Sequence, residues 1–168
     1  MATNSACAFT GHRPQAYRFG YDEKHPDCLR LKALMREEIL KLIHSGISTF
    51  LSGMAQGADT WGAEIVLELE KFYPHLRLIA VLPCETQANL WSDRQRERYF
   101  SILPQCSQTV YTAKYYTPDC MLKRNRWLVD HSNVLLAIYN PCSQGGTAYT
   151  VQYAYQKKRT VMIINPEY

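Results

Sequence analysis

Three turns of the chain carry residue types suited to holding a negative charge. Gly11-His12-Arg13-Pro14 closes a short apolar run at Ala6–Thr10. Its Arg13 offers a two-pronged contact to phosphate or carboxylate, and its His12 an imidazole that donates or carries a proton. Ser52-Gly53-Met54-Ala55-Gln56-Gly57-Ala58-Asp59 stands between a β-branched run, Ile47–Leu51, and a helical pattern. That order aims backbone N–H groups and a helix dipole at one point, the design of an anion cradle. Gly53 and Gly57 permit close backbone approach and positive φ, Ser52 adds a hydroxyl, and Asp59 is placed to cap the helix. Asn140–Thr147 ends in Gly145-Gly146-Thr147 at the start of another helical stretch, a second cradle of the same kind. The Ser52–Asp59 loop is neither a GxGxxG fingerprint nor a P-loop. Plain turns with good caps are the simpler alternative for each.

Residues for acid–base work are fewer. His12, Glu64 and Glu85 are the catalytic candidates, with Asp59 a further carboxylate near the same loops. Surface charge and capping account for the carboxylates equally well. Trp91 serves either as a stacking platform for a base or as a core edge. Tyr115 and Tyr116 sit in a loop where they can stack on a planar ligand. Arg94, Arg96 and Arg98 are spaced two apart on a helix, so they share no face and read as a solvated surface.

These residues need elements to position them. Leu31, Leu34, Met35, Ile39, Leu42 and Ile43 form a helical stripe ended by Gly46, and Trp61, Ile65, Leu69 and Phe72 form another. Tyr17–Pro26 lacks periodicity and reads as a loop, a flap over the site. Leu76–Leu82 is an apolar strand ending at Pro83. Helices follow at Asn89–Leu103 and Met121–His131, and strands at Gln108–Tyr111, Asn133–Tyr139 and Val161–Ile164. About six strands alternating with five helices predict an α/β, Rossmann-like three-layer sandwich. Its sheet is mainly parallel, with helices on both faces and a strand order near 3-2-1-4-5-6. The candidate loops all leave the carboxyl ends of strands, where such sheets bind ligands.

Bulk properties bound the rest. A chain of 168 residues is most simply one domain over 1–168. No apolar run is long enough to span a bilayer, and no secretory pattern opens the chain. Six scattered cysteines without a CxxC pair then read as reduced thiols in a cytoplasmic protein. Neither these nor the five histidines have zinc-ligand spacing, so no metal is expected. The net charge of +4 permits an anionic ligand without demanding nucleic acid.

Six segments together resemble the SLOG superfamily, in particular its small stand-alone bacterial branch typified by YpsA and YoqJ. They are Thr10–Pro14, Phe50–Glu70 with the Tyr73-Pro74 break, Leu82–Gln87 with Trp91, Arg124–Ser132 and Gly145–Ala154. The loop at Ser52–Asp59 is similar to the signature of the DNA-processing protein A family, whose Rossmann core binds single-stranded DNA. The superfamily also holds the LOG phosphoribohydrolases, but Thr150 stands where their catalytic Glu would fall and Gln144 where their Pro precedes the paired Gly. The resemblance therefore implies a site for a nucleotide-derived, ADP-ribose-like ligand, without a required cofactor, in a sensory or regulatory protein.

The ligand-binding set expected is Gly11, His12, Arg13, Ser52, Gly53, Ala55, Gly57, Asp59, Pro83, Trp91, Asn125, Gly145, Gly146 and Thr147. The expected partner is a small-molecule nucleotide derivative. N-glycosidic hydrolysis and single-stranded DNA binding are the alternatives, with nucleic acid disfavoured by the mild charge. No membrane partner is expected, and a homo-oligomer is left open.

Overall fold

The computed structural model describes residues 5–167. Six strands, β1 (Ala6–Gly11), β2 (Thr49–Ser52), β3 (Arg77–Leu82), β4 (Gln108–Tyr111), β5 (Val134–Ile138) and β6 (Thr160–Ile164), alternate with five α-helices. These are α1 (Pro26–His44), α2 (Ala58–Glu70), α3 (Asp93–Ile102), α4 (Cys120–Asp130) and α5 (Gly146–Gln156). All five strand pairings are parallel, in the order β4-β3-β2-β1-β5-β6. The expected order 3-2-1-4-5-6 is corrected in one respect. β4 extends the β3 edge, and the chain reverses direction only on passing to β5 beside β1. The switch point therefore lies between β1 and β5.

Period-two alternation splits the sheet's side chains between two cores. Cys7, Phe9, Phe50, Leu78, Ala80, Leu82, Leu136 and Ile138 pack under α1, α2 and α3. Ala8, Leu51, Ile79, Val81, Leu135 and Ala137 pack under α4 and α5. Helices thus cover both faces, as buried parallel strands require. No helix of the described residues is long and apolar enough to cross a membrane.

Local signals set the helix ends. Pro26 opens α1 behind the cap residue His25, whose Nδ1 accepts the Asp27 N–H at 3.1 Å. Gly46, at φ +107°, follows its end. Phe72 departs from its expected place on the apolar face of α2. It lies past the helix end and is 70% exposed. The segment expected as a flap, Tyr17–Pro26, is anchored instead. Tyr17 and Phe19 are buried, stack at 5.0 Å, and lie 5.4 and 6.2 Å from the Trp61 ring. Aromatic burial of that size holds the segment against the core.

Two glycines bring α2 close to β1. A Cβ at Gly62 would stand 2.7 Å from the Phe9 ring. One at Gly57, where φ is +92°, would stand 2.7 Å from the His12 carbonyl oxygen. Gly62→Ala and Gly57→Ala are each expected to destabilise the fold by about 1–3 kcal/mol, through overpacking and, at Gly57, backbone strain as well. Thermal unfolding should register that as a fall in Tm of roughly 2–10 °C for either variant. An unchanged Tm would refute the close-approach account.

Candidate functional site

At the carboxyl end of β1 the chain turns through His12 and Arg13 into a short 3-10 turn at Pro14–Ala16. Pro14 keeps Arg13 extended, at φ −74° and ψ 160°, with its side chain exposed. His12 is tied across the switch point. Its N–H donates to Ile138 O at 3.1 Å, and its Nε2 accepts the Asn140 N–H at 3.1 Å. That second bond requires neutral Nε2, hence a proton on Nδ1. Burial lowers the His12 pKa below its ordinary 6.5, in accord with that tautomer.

A cleft of about 310 Å³ opens here. Thr10, Gly11, His12, Arg13, Gln15 and Ala16 form one side. Asp59, Arg124, Asn125, Gln144, Gly146 and Thr147 complete it. The first turn of α5 therefore faces Arg13 and Arg124 across one space. Gly145 takes φ +116°, and neither it nor Gly146 has any atom within 4 Å of an added Cβ. Backbone amides at this helix N-terminus are open to a ligand.

The Ser52–Asp59 loop plays a different part from the one expected of it. Ser52 is fully buried, and its hydroxyl donates to Asp59 O at 2.8 Å while accepting the Met54 N–H at 3.1 Å. Asp59 does not cap α2, whose N-cap is Gly57 with no side-chain cap. Its Oδ2 instead accepts the Ala55 N–H at 3.3 Å, so Ala55 has no amide to offer a ligand. Gly53 leaves room for a side chain rather than for a guest: its absent Cβ would meet Arg124 Nη1 at 2.5 Å and Asp59 Oδ2 at 2.9 Å.

Arg124 also lines the cleft, although it is absent from the expected ligand-binding set. It lies on α4 at 1% exposure, in register with buried Cys120 and Leu128 at i, i+4, i+8. A basic residue in the middle of an apolar stripe was the available signal. Its Nη1 donates to Gly53 O at 2.5 Å and, at longer range, to Val81 O and Gln87 Oε1. Its Nε donates to Asn125 Oδ1 at 2.9 Å. Nη2 points to the Met121 sulfur at 3.8 Å, its one hydrogen-bond contact among the described residues. Burial draws its pKa down to about 10, which leaves it cationic at neutral pH. Burial pushes the Asp59 carboxyl upward, and Arg124 and Arg13 pull it partly back.

Other expected residues fall outside the cleft. Glu64 pairs with Arg98, whose Nη1 and Nη2 also hold Glu23 at 2.5 and 2.9 Å. That network, joined by Lys32 on Glu23 at 2.6 Å, lines a separate hollow of about 970 Å³. Arg98 is accordingly half-buried rather than solvated, because it bridges carboxylates from two other segments. Glu85 is exposed at the start of the β3 exit loop, and its N–H bonds Lys114 O. Pro83 is buried at the same exit and is not among the cleft's lining residues. Tyr115 and Tyr116 are exposed and line neither the cleft nor the hollow beside it. Trp91 lines that neighbouring hollow, of about 580 Å³, and packs edge-on against Tyr99 at 5.2 Å. Among the described residues no group of histidine, cysteine and carboxylate side chains is arranged to hold a metal ion.

Comparison with known proteins agrees with this architecture. A UPF0398 protein of Bacillus pumilus (strain SAFR-032) is 30% identical over 150 residues, spanning 88% of this chain and 80% of its own. One from Bacillus cereus (strain B4264) is 28% identical over 153 residues, spanning 89% and 82%. A solved structure of DNA processing protein A from Helicobacter pylori, described for its single-stranded DNA binding mode, shares the fold with a TM-score of 0.61. That alignment runs at 17% identity over 96% of this chain and 65% of the other. The profile of the YpsA family, described as the YspA SLOG family, matches residues 7–165, nearly the whole length, and the chain belongs to that family.

Proposed function

We propose that the cleft between β1 and β5 binds the phosphate of a nucleotide-derived ligand, and that the protein senses or regulates through that binding. The observation that carries the reading is the open N-terminus of α5, at Gly146 and Thr147, facing the guanidinium groups of Arg13 and Arg124 in one cleft. A helix dipole, free amides and two cations favour a compact anion. His12 contributes a neutral imidazole and Asn125 a carboxamide to the same space. The solved protein that shares this fold is described for its single-stranded DNA binding, and DNA is itself a chain of nucleotides, which supports a nucleotide-type ligand. Binding without turnover suits the residues present: Glu64 is engaged by Arg98, and Thr150 donates to Gly146 O at 2.8 Å within α5.

Thermal unfolding with AMP, ADP-ribose and ribose 5-phosphate tests the proposal. A ligand at a hundredfold excess over its Kd should add about 2.7 kcal/mol, or roughly 5–10 °C in Tm. Arg13→Ala should leave the unliganded Tm unchanged, since the side chain is exposed, and weaken phosphate binding about tenfold. Gly146→Ala should keep or slightly raise Tm while weakening the same ligands, because its Cβ enters empty space at the amides. If no phosphorylated nucleoside shifts Tm, the reading fails. A salt-dependent gel shift with single-stranded DNA, and no small-molecule shift, would point to a polymeric ligand instead.

His12 supplies an independent check. Its folded pKa lies below the unfolded value near 6.5, so the unfolded chain binds the proton more readily. Its contribution to stability is therefore present above about 6.5 and lost as pH falls through that value toward the folded pKa. In NMR titration the His12 ring should titrate below 6.5 in the free protein. Saturating phosphate should raise that midpoint, since a neighbouring anion favours the imidazolium. A midpoint unmoved by phosphate would remove His12 from the site.

A further inference from the structure

β6 ends the sheet, with β5 its one strand neighbour, and its outer edge is open. The Thr160 N–H donates to Asn133 O at 3.1 Å, and Ile164 O accepts the Tyr139 N–H at 3.0 Å. In a parallel pair, alternate residues turn to the same neighbour. Met162 therefore joins Thr160 and Ile164 in facing β5, while Val161 and Ile163 turn their N–H and C=O groups outward. Among the described residues nothing bonds those outward groups. Natural sheets blunt such an edge with a charge, a proline or a bulge, and Thr160–Ile164 holds neither charge nor proline. Its Ile163 is 38% exposed. Tyr155, 55% exposed, widens the apolar surface. Tyr149 and Tyr153 bond Arg126 and Asp130 of α4, so Tyr155, two residues on, lies on the other flank of α5, toward β6.

We infer that β6 is a dimer interface: two copies of this chain pair their β6 strands antiparallel about a two-fold axis at Met162, so that one sheet runs through both. With the axis there, Val161 of each copy stands opposite Ile163 of the other. The outward N–H and C=O groups of these residues then bond each other in closely spaced pairs, and none is left over. The β-branched side chains of Val161 and Ile163 face across the junction and cover one another, with Tyr155 beside them. Charge fixes the direction. Lys157, Lys158 and Arg159 precede β6, and Glu167 follows it. Antiparallel pairing brings the basic end of each copy toward the acidic end of the other, whereas a parallel neighbour would set the basic ends together. The opposite edge strand, β4, lacks that match: Lys114 follows it, and no acidic residue stands between Arg98 and Pro118. A second copy supplies every complementary feature by symmetry, which singles it out as the occupant of the β6 edge.

Sedimentation velocity over a concentration series, together with amide hydrogen exchange read by NMR, tests the inference on the full chain. The wild type should move toward twice the mass of one chain as concentration rises. In that dimer the Val161 and Ile163 amides should exchange about as slowly as that of Met162, which β5 already protects. Ile163→Lys should weaken the dimer by about tenfold or more, because the charge enters twice across the axis. Its Val161 amide should then exchange at least about tenfold faster, with Met162 unchanged. Val161→Pro removes an N–H that a single copy leaves unused, and should give monomers with the native circular-dichroism spectrum. Monomers at every concentration overturn the inference. So does a dimer that persists undiminished in Ile163→Lys, or one whose Val161 and Ile163 amides exchange freely. The wild-type mass and exchange decide the matter even if neither variant folds, and neither measurement depends on what occupies the cleft.

Discussion

One guanidinium holds the cleft-bearing edge of this fold together. Arg124 reaches from α4 into the interior, joins the exits of β2 and β3 through Gly53 and Val81, and bonds Asn125 on its own helix. Placing a full charge there requires hydrogen bonds on most of its donors and a counter-charge within reach. Backbone carbonyls supply the first and Asp59 the second. The loop geometry follows. Gly53 must lack a Cβ because the guanidinium occupies its place, and Asp59 must turn back from the helix to face the cation. A loop that resembles a ligand cradle in sequence is, in its first half, a socket for an arginine.

That inversion explains what the sequence disclosed of the site and what it hid. Alternation of apolar runs with helical stripes was enough for the layers and the parallel sheet, because buried parallel strands have no other way to cover both faces. The position of β4 was not legible. No local pattern distinguishes a strand that extends one edge from a strand that begins the other. The convergence of His12, Arg13, Asp59, Gly146 and Thr147 followed from the fold class, since the carboxyl ends of strands near a switch point must meet. The roles within the loop did not follow. Ser52, Gly53, Ala55 and Asp59 have the composition of an anion site, but whether an N–H faces a guest or a neighbouring carboxylate depends on Arg124, more than sixty residues away.

The glycines divide along the same line. Gly57 lets α2 approach the His12 carbonyl, and Gly53 lets Arg124 in, so both are consumed by packing. Gly145 and Gly146 face open space. Identical residue types in two similar loops therefore do opposite things. One loop closes upon its own chain and makes a rigid floor, and the other leaves amides unspent.

Charge is sorted in parallel. The carboxylates best placed by sequence for acid–base work, Glu64 and Glu85, are drawn away from the cleft, the first by Arg98 and the second by exposure. Arg98 and Lys32 hold the Glu23 pKa down to about 2, so Glu23 stays ionised across the physiological range and stays paired with both cations. Inside the cleft, two guanidiniums face a single carboxyl, whose charge burial disfavours. A site so balanced has a standing deficit of negative charge and few proton-transfer groups. Under the proposed reading such an arrangement retains an anion, because the one carboxyl in the cleft, Asp59, is turned to the Ala55 N–H and faces the two cations.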